Sequence, residues 1–202
     1  MTRPYLQRWD RMSSSRVHQF LCNSVNIQKK LKQYYGRESK VIHPPLDLER
    51  FTPGEMKKDF YLMIGAFAPN KRVDLAIRVF NRLKLPLKIA GKGQDEAFCR
   101  SIAGESISFL GECDDEQLLE LYQQARAFVF PGEDDFGITP LEAQACGTPV
   151  IAYAAGGALE TVTETTGIFF EEQTEEALSQ AVEEMEQRHQ DFKPEDFKKN
   201  TS

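Results

Sequence analysis

Short apolar runs alternate with longer amphipathic stretches along most of this chain, and few folds accommodate that alternation. Runs of strand length lie at Gln19–Cys22, Lys40–His43, Phe60–Ile64, Leu87–Ala90, Ile107–Leu110, Ala127–Phe130, Val150–Ala154 and Gly167–Phe170. Between them apolar residues recur at helical spacing: Val73, Ala76, Ile77 and Phe80; Leu118, Leu119 and Tyr122; Ala177, Leu178, Ala181, Val182 and Met185. Thr174 is placed to cap the last of these helices, with Glu175 and Glu176 at the positive end of its dipole. Strand and helix in alternation predict an α/β fold, a doubly wound parallel sheet. In such sheets ligands bind beyond the carboxyl ends of the strands, so the loops after the strands are where chemistry is expected.

Four loops qualify. Gly65 to Arg72 follows a strand and carries two adjacent cations, Lys71 and Arg72, before a helix. They suit a diphosphate clamp, and equally suit solvated loop charges. Gly91-Lys92-Gly93 starts like a dinucleotide fingerprint, but position 96 is Glu where a third glycine belongs. Pro131 to Pro149 runs from an acidic loop into a helix with Pro140 in its first turn and Gly147 at its end. Its start offers the N–H groups of Phe136, Gly137 and Ile138 to a phosphate or sugar oxygen. Glu142, a little over one turn beyond Ile138, is placed to face the same crevice; alternatively Asp134 or Asp135 caps the helix and Glu142 is solvated. Gly156-Gly157 makes either an anion-binding nest or a plain turn.

Composition removes other classes. The 202 residues carry a net charge of -6, which argues against general nucleic-acid binding. No apolar run approaches the roughly 20 residues of a membrane span, and the first residues lack the apolar core of a signal peptide. The four cysteines are scattered, without metal-ligand spacing, so reduced thiols and a cytoplasmic location are expected. The three histidines suggest neither a metal site nor a Ser-His-Asp triad.

Taken in order, the four loops resemble the C-terminal donor-binding domain of family 4 retaining glycosyltransferases, and among them bacterial polysaccharide mannosyltransferases. The markers are Tyr61-Leu62-Met63-Ile64-Gly65 leading to Lys71, Lys88-Ile89-Ala90-Gly91-Lys92-Gly93, Phe109-Leu110-Gly111, Phe136-Gly137-Ile138-Thr139-Pro140-Leu141-Glu142-Ala143, and Gly156-Gly157. The resemblance implies a Rossmann-like domain, one half of the two-domain GT-B architecture. It divides the chain into an exit segment (1–16) from an N-terminal acceptor domain, a nucleotide-sugar-binding domain (17–190) and a truncated C-terminal segment (191–202).

It also implies site residues. The family's two acidic positions, separated by seven others, fall on Asp134 and Glu142, the first contacting donor-sugar hydroxyls and the second the ribose. Lys71 binds the diphosphate; these three form the catalytic set. Gly65, Arg72, Gly91, Gly93, Leu110, Gly111, Glu133, Phe136, Gly137 and Ile138 surround the donor. The family usually has Glu where this chain has Asp134, so Glu133 is a candidate substitute. It commonly has Arg where this chain has Ala66, and Arg72 is the candidate replacement. The implied function is transfer of a hexose, mannose favoured, with retention, from a nucleoside-diphosphate sugar (GDP-mannose favoured over UDP-sugars). The acceptor would be a glycan or lipid-linked, engaged through the N-terminal domain, with peripheral membrane contact left open and no cofactor or metal. The competing readings are a non-catalytic nucleotide-binding or interaction module, half of a split enzyme, and a dehydrogenase-type cofactor domain.

Overall fold

The computed structural model describes residues 2–201. All eight expected strands form, and they separate into two sheets belonging to two compact units, 1–45 and 46–202. The division falls between Pro45 and Leu46.

The first unit holds α1 (Thr2–Ser14), β1 (Phe20–Cys22), α2 (Val25–Tyr35) and β2 (Ser39–Val41). β1 and β2 are parallel, with Phe20 opposite Ser39. Ser24 caps α2, its hydroxyl accepting from the Ile27 N–H at 3.1 Å. Gly36 closes the helix in the left-handed conformation.

The second unit contains a six-stranded sheet: β3 (Tyr61–Ile64), β4 (Leu87–Ala90), β5 (Ile107–Gly111), β6 (Ala127–Phe130), β7 (Val150–Tyr153) and β8 (Gly167–Phe170). The spatial order is β5-β4-β3-β6-β7-β8, and every neighbouring pair is parallel. The intervening helices are α3 (Val73–Leu83), α4 (Glu96–Ile102), α5 (Asp115–Gln124), α6 (Ile138–Ala145) and α7 (Ala158–Thr161), followed by α8 (Glu175–Arg188) and α9 (Pro194–Thr201).

Successive strand residues point to opposite faces, and both faces are covered. Tyr61, Met63, Leu87, Ile89, Ala127, Val129 and Ile151 join the buried faces of α3 and α8 in one core. Phe60, Leu62, Phe128, Phe130, Val150 and Ala152 join Tyr122, Ala143, Cys146 and Ala158 in the other. Each fully buried Leu or Ile contributes about 1.5–3 kcal/mol by leaving water. Thr174 caps α8 as the sequence predicts, its hydroxyl accepting from Ala177 at 3.2 Å. Near the C-terminus, α9 buries Phe197.

This strand order fixes where a ligand can sit. From β3 the chain winds outward to β4 and β5, then returns to add β6, β7 and β8 on the other side. The direction of winding therefore reverses between β3 and β6. Loops diverge at such a switch point and leave a crevice beyond the strand ends.

Candidate functional site

The two loops bordering the switch point carry Lys71 and Asp134. After β3 the chain makes a 3-10 turn at Pro69–Lys71, and Arg72 then adopts φ 52°, a left-handed conformation, before α3 begins. This reversal sends neighbouring cations to different partners. The Lys71 ammonium donates to both carboxylate oxygens of Asp134 at 2.5 Å. The Arg72 guanidinium donates to Gln173 Oε1 at 3.2 Å and to Asp74 at 3.4 Å. Gln173 in turn donates to the Pro131 carbonyl at 2.8 Å. The adjacent cations of the sequence are thus not one clamp in this structure.

The loops are joined backbone to backbone. The Glu133 N–H donates to the Asn70 carbonyl at 3.3 Å, and the Gly157 N–H to the Asp134 carbonyl at 2.8 Å. Gly156 has φ +60°, and a Cβ there would lie 2.4 Å from the Asp134 carbonyl oxygen. Only glycine fits both demands. On the other side, the Phe67 N–H donates to the Lys92 carbonyl at 3.0 Å, and the Gly91 N–H to the Gly111 carbonyl at 2.7 Å. Gly91 has φ +129°, and its missing Cβ would meet the Gly65 carbonyl oxygen at 2.0 Å. The loop containing Gly91 and Gly93 therefore packs directly on the loop containing Gly65. Leu110 is exposed at the end of β5, and Lys92 pairs with Glu112 at 2.8 Å. All four sequence loops lie at the carboxyl ends of the strands, linked in pairs.

At the start of α6, Gly137 is the N-cap residue with φ 83°. Phe136 and Gly137 are buried as residues, and Ile138 is exposed. A Cβ added at Gly137 would lie 3.5 Å from the Thr161 hydroxyl and 3.6 Å from Phe130 and Pro140. Farther along α6, Glu142 is half-buried and accepts a hydrogen bond from the Tyr122 hydroxyl at 2.8 Å. Burial raises the Glu142 pKa, opposed by the Tyr122 bond and the Arg50 guanidinium, while Asp115 adds to the rise. Arg50 itself is held by Asp115 at 2.9 Å.

Sequence reasoning missed several of these partners. Tyr122 was read only as part of an apolar helical stripe. Its signal was the hydroxyl itself, because a tyrosine on a buried stripe needs a hydrogen-bond partner. Arg50 and Gln173 come from distant loops and carried no pattern, and Asn70 enters through its backbone carbonyl, which no residue type signals. Among the described residues, no three His, Cys, Asp or Glu side chains form a metal-binding group. No described helix is long and apolar enough to cross a membrane. An apolar cavity of about 490 Å³ lies elsewhere, lined by Phe51, Pro53, Ala145 and Phe197 at the far end of α6.

Comparison with known proteins bears on the family and the fold. Residues 47–202 match the family described as glycosyl transferases group 1. A GDP-mannose-dependent monoacylated alpha-(1-6)-phosphatidylinositol monomannoside mannosyltransferase of Corynebacterium glutamicum is 30% identical over 189 residues, 78% of this chain and 50% of that protein. A D-inositol 3-phosphate glycosyltransferase of Mycobacteroides abscessus is 31% identical over 170 residues, 72% of this chain and 38% of that protein. The chain thus spans half or less of the length of these relatives. Among solved structures, Anabaena Alr3699/HepE, crystallised with UDP and glucose, superposes with a TM-score of 0.81 at 18% identity, covering 92% of this chain and 58% of that one. Sucrose-phosphate synthase of Thermosynechococcus elongatus does so with 0.77 at 23%, covering 90% and 51%. These two likenesses speak to the fold. With the family match covering most of the chain, this protein belongs to the group 1 glycosyltransferases.

Proposed function

We propose that this chain supplies the donor-binding half of a retaining hexosyltransferase. Its donor is a nucleoside-diphosphate sugar, GDP-mannose in preference to UDP-sugars, and its acceptor a cytoplasmic or membrane-surface glycan or lipid-linked glycan. The observation that carries this reading is the Lys71–Asp134 pair at the switch point. A cation there, paired among the described residues with a carboxylate, suits an incoming diphosphate. Displaced by the phosphate, the Asp134 carboxylate becomes available to accept hydrogen bonds from sugar hydroxyls. Lys71 then stabilises the negative charge that builds on the departing diphosphate. Glu142 accepts from the ribose hydroxyls. Gly65, Gly91, Gly93, Leu110 and Gly111 border the nucleotide, and Glu133, Phe136, Gly137 and Ile138 border the diphosphate and sugar. An acceptor domain outside this chain completes the active site, so the chain alone binds donor nucleotide weakly and transfers little sugar.

Titration calorimetry of the whole chain with GDP, UDP, ADP and NAD tests this. Binding of GDP ahead of the others is the expected result. Binding of NAD alone, or of none of the four, would overturn the donor-site reading.

A further inference from the structure

The second acidic position has a support that neither the motif nor the family match assigns. Tyr122 lies on α5, with 1% of its surface exposed. Its ring is held edge-on by Phe51 at 6.0 Å and tilted against Phe128 at 5.6 Å. Its carbonyl accepts from the Thr148 hydroxyl at 2.5 Å. Thr148 is itself gripped by the Lys57 ammonium, which also donates to the Cys146 carbonyl at 3.3 Å. Lys57 and Thr148 thus brace Tyr122 at the end of α5 and tie it to the chain just after α6. The tyrosine hydroxyl projects from this braced base to Glu142 Oε2.

We infer that Tyr122 is a positioning residue that fixes the Glu142 carboxylate for a nucleotide ribose. This rests on the reading of Glu142 as the ribose acceptor. A carboxylate has about four lone-pair sites, and among the described residues Tyr122 is the one recorded donor to this one. One inward bond stops the carboxylate from turning and leaves its other oxygen for an outer donor. Vicinal hydroxyls are such donors. Burial raises the Tyr122 pKa well above the usual tyrosine value, so the hydroxyl remains a donor at any working pH. A carboxylate set in advance loses less side-chain freedom when the ligand arrives. Were the bond merely the satisfaction of a buried hydroxyl, its loss would cost stability and leave ribose recognition untouched.

The test compares the full chain with its Tyr122→Phe and Glu142→Gln variants. Calorimetry uses GDP and 2′,3′-dideoxy-GDP, and carbon NMR follows the Glu142 carboxyl titration without ligand. Tyr122→Phe keeps the ring packing and is expected to weaken GDP about tenfold while changing the dideoxy form less than about twofold. The Glu142 midpoint is expected to rise, because the bond that lowers it is gone; Arg50 and Asp115, the other charges acting on Glu142, are unchanged. Equal losses for both nucleotides, or an unmoved midpoint, would overturn the inference. If Glu142→Gln leaves the ratio of the two affinities unchanged while the midpoint rises in Tyr122→Phe, the ribose assignment fails and the positioning stands. If the unaltered chain binds neither nucleotide, the donor-site reading fails and the inference that rests on it falls too, whereas equal losses in a chain that does bind GDP overturn the inference alone. Should Tyr122→Phe not fold, 3-fluorotyrosine at position 122 serves instead. Its more acidic hydroxyl should lower the midpoint, and no change would overturn the inference.

Discussion

The two acidic positions of this site are eight residues apart in sequence and are held by opposite means. Asp134 sits in a loop and is paired with Lys71, the two side chains being 23% and 25% exposed. Glu142 sits on a helix and is tied to the hydroxyl of an almost fully buried tyrosine. The Asp134 end is held by charge and can exchange one anion for another, because Lys71 keeps a partner either way. The Glu142 end is held by packing and is set before any ligand arrives. This division suits a donor whose nucleotide is a constant handle and whose diphosphate must change charge during the reaction. It also means that each end should fail under different conditions.

Gly156→Ala should separate the two ends most strongly. The new Cβ would have to displace the Asp134 carbonyl from a left-handed backbone position. Strain and clash together should cost about 3 kcal/mol of stability, measured by denaturant unfolding. If the comparison holds, the variant loses diphosphate affinity but still distinguishes GDP from its dideoxy form. Loss of that distinction as well would mean that the ends form a single cooperative unit. Lys71→Met should come next. Removing a charge-assisted contact to phosphate should weaken GDP about 30-fold to 100-fold at low salt, while guanosine binding stays as it was. The deficit should shrink as salt screens the unaltered protein. Equal GDP affinity in the two proteins would remove Lys71 from the site.

The sheet could be read from sequence because each strand is a short run of apolar residues between punctuating Gly, Pro or polar residues, as at Leu87–Ala90 between Pro86 and Gly91. The placement of the site followed from that order, since the loops after β3 and β6 necessarily meet at the reversal. Side-chain direction could not be read in the same way. Lys71 and Arg72 are adjacent in sequence, yet the left-handed backbone at Arg72 turns one to Asp134 and the other to Gln173. A non-glycine residue at positive φ has no sequence signature. The burial of Phe136 and Gly137 at the start of α6 likewise has no pattern in the local sequence. Tyr122 and Glu142 belong to different helices, and no periodicity links the two.

The packed end should respond to pH through Lys57. Burial lowers its pKa from 10.5 to about 8. Above pH 8 the unfolded chain therefore holds a proton that the folded chain has released, so stability rises with pH in this window. The buried thiols act in the other direction as pH approaches and passes their unfolded value of 9, since Cys146 is raised to about 12 and Cys99 to about 11. Lys57 by itself contributes a gain of about 1 kcal/mol between pH 8 and 9, of which the thiols take back more than half, so the expected net rise is about 0.3 kcal/mol, followed by a decline. Denaturant unfolding at fixed ionic strength measures it, and Lys57→Met should abolish the rise. A rise that persists in Lys57→Met would assign it to another group and detach Lys57 from the support of Tyr122.

Arg72→Ala should have the smallest effect on donor binding, and it examines the charged end from within. The family commonly places an arginine where this chain has Ala66, and Arg72 is the candidate replacement. Its guanidinium is already held by Gln173 and Asp74, and Gln173 in turn holds the Pro131 carbonyl at the mouth of the loop. To reach a diphosphate, Arg72 would have to break both contacts, which offsets most of what it would gain. GDP affinity should therefore change less than about threefold, within the few tenths to one kcal/mol typical of partly exposed ion pairs. A loss as large as that of Lys71→Met would mean that the ligand draws Arg72 away from Gln173. The charged end would then be rebuilt on binding, and the contrast with the fixed carboxylate of Glu142 would be sharper than the unliganded geometry indicates.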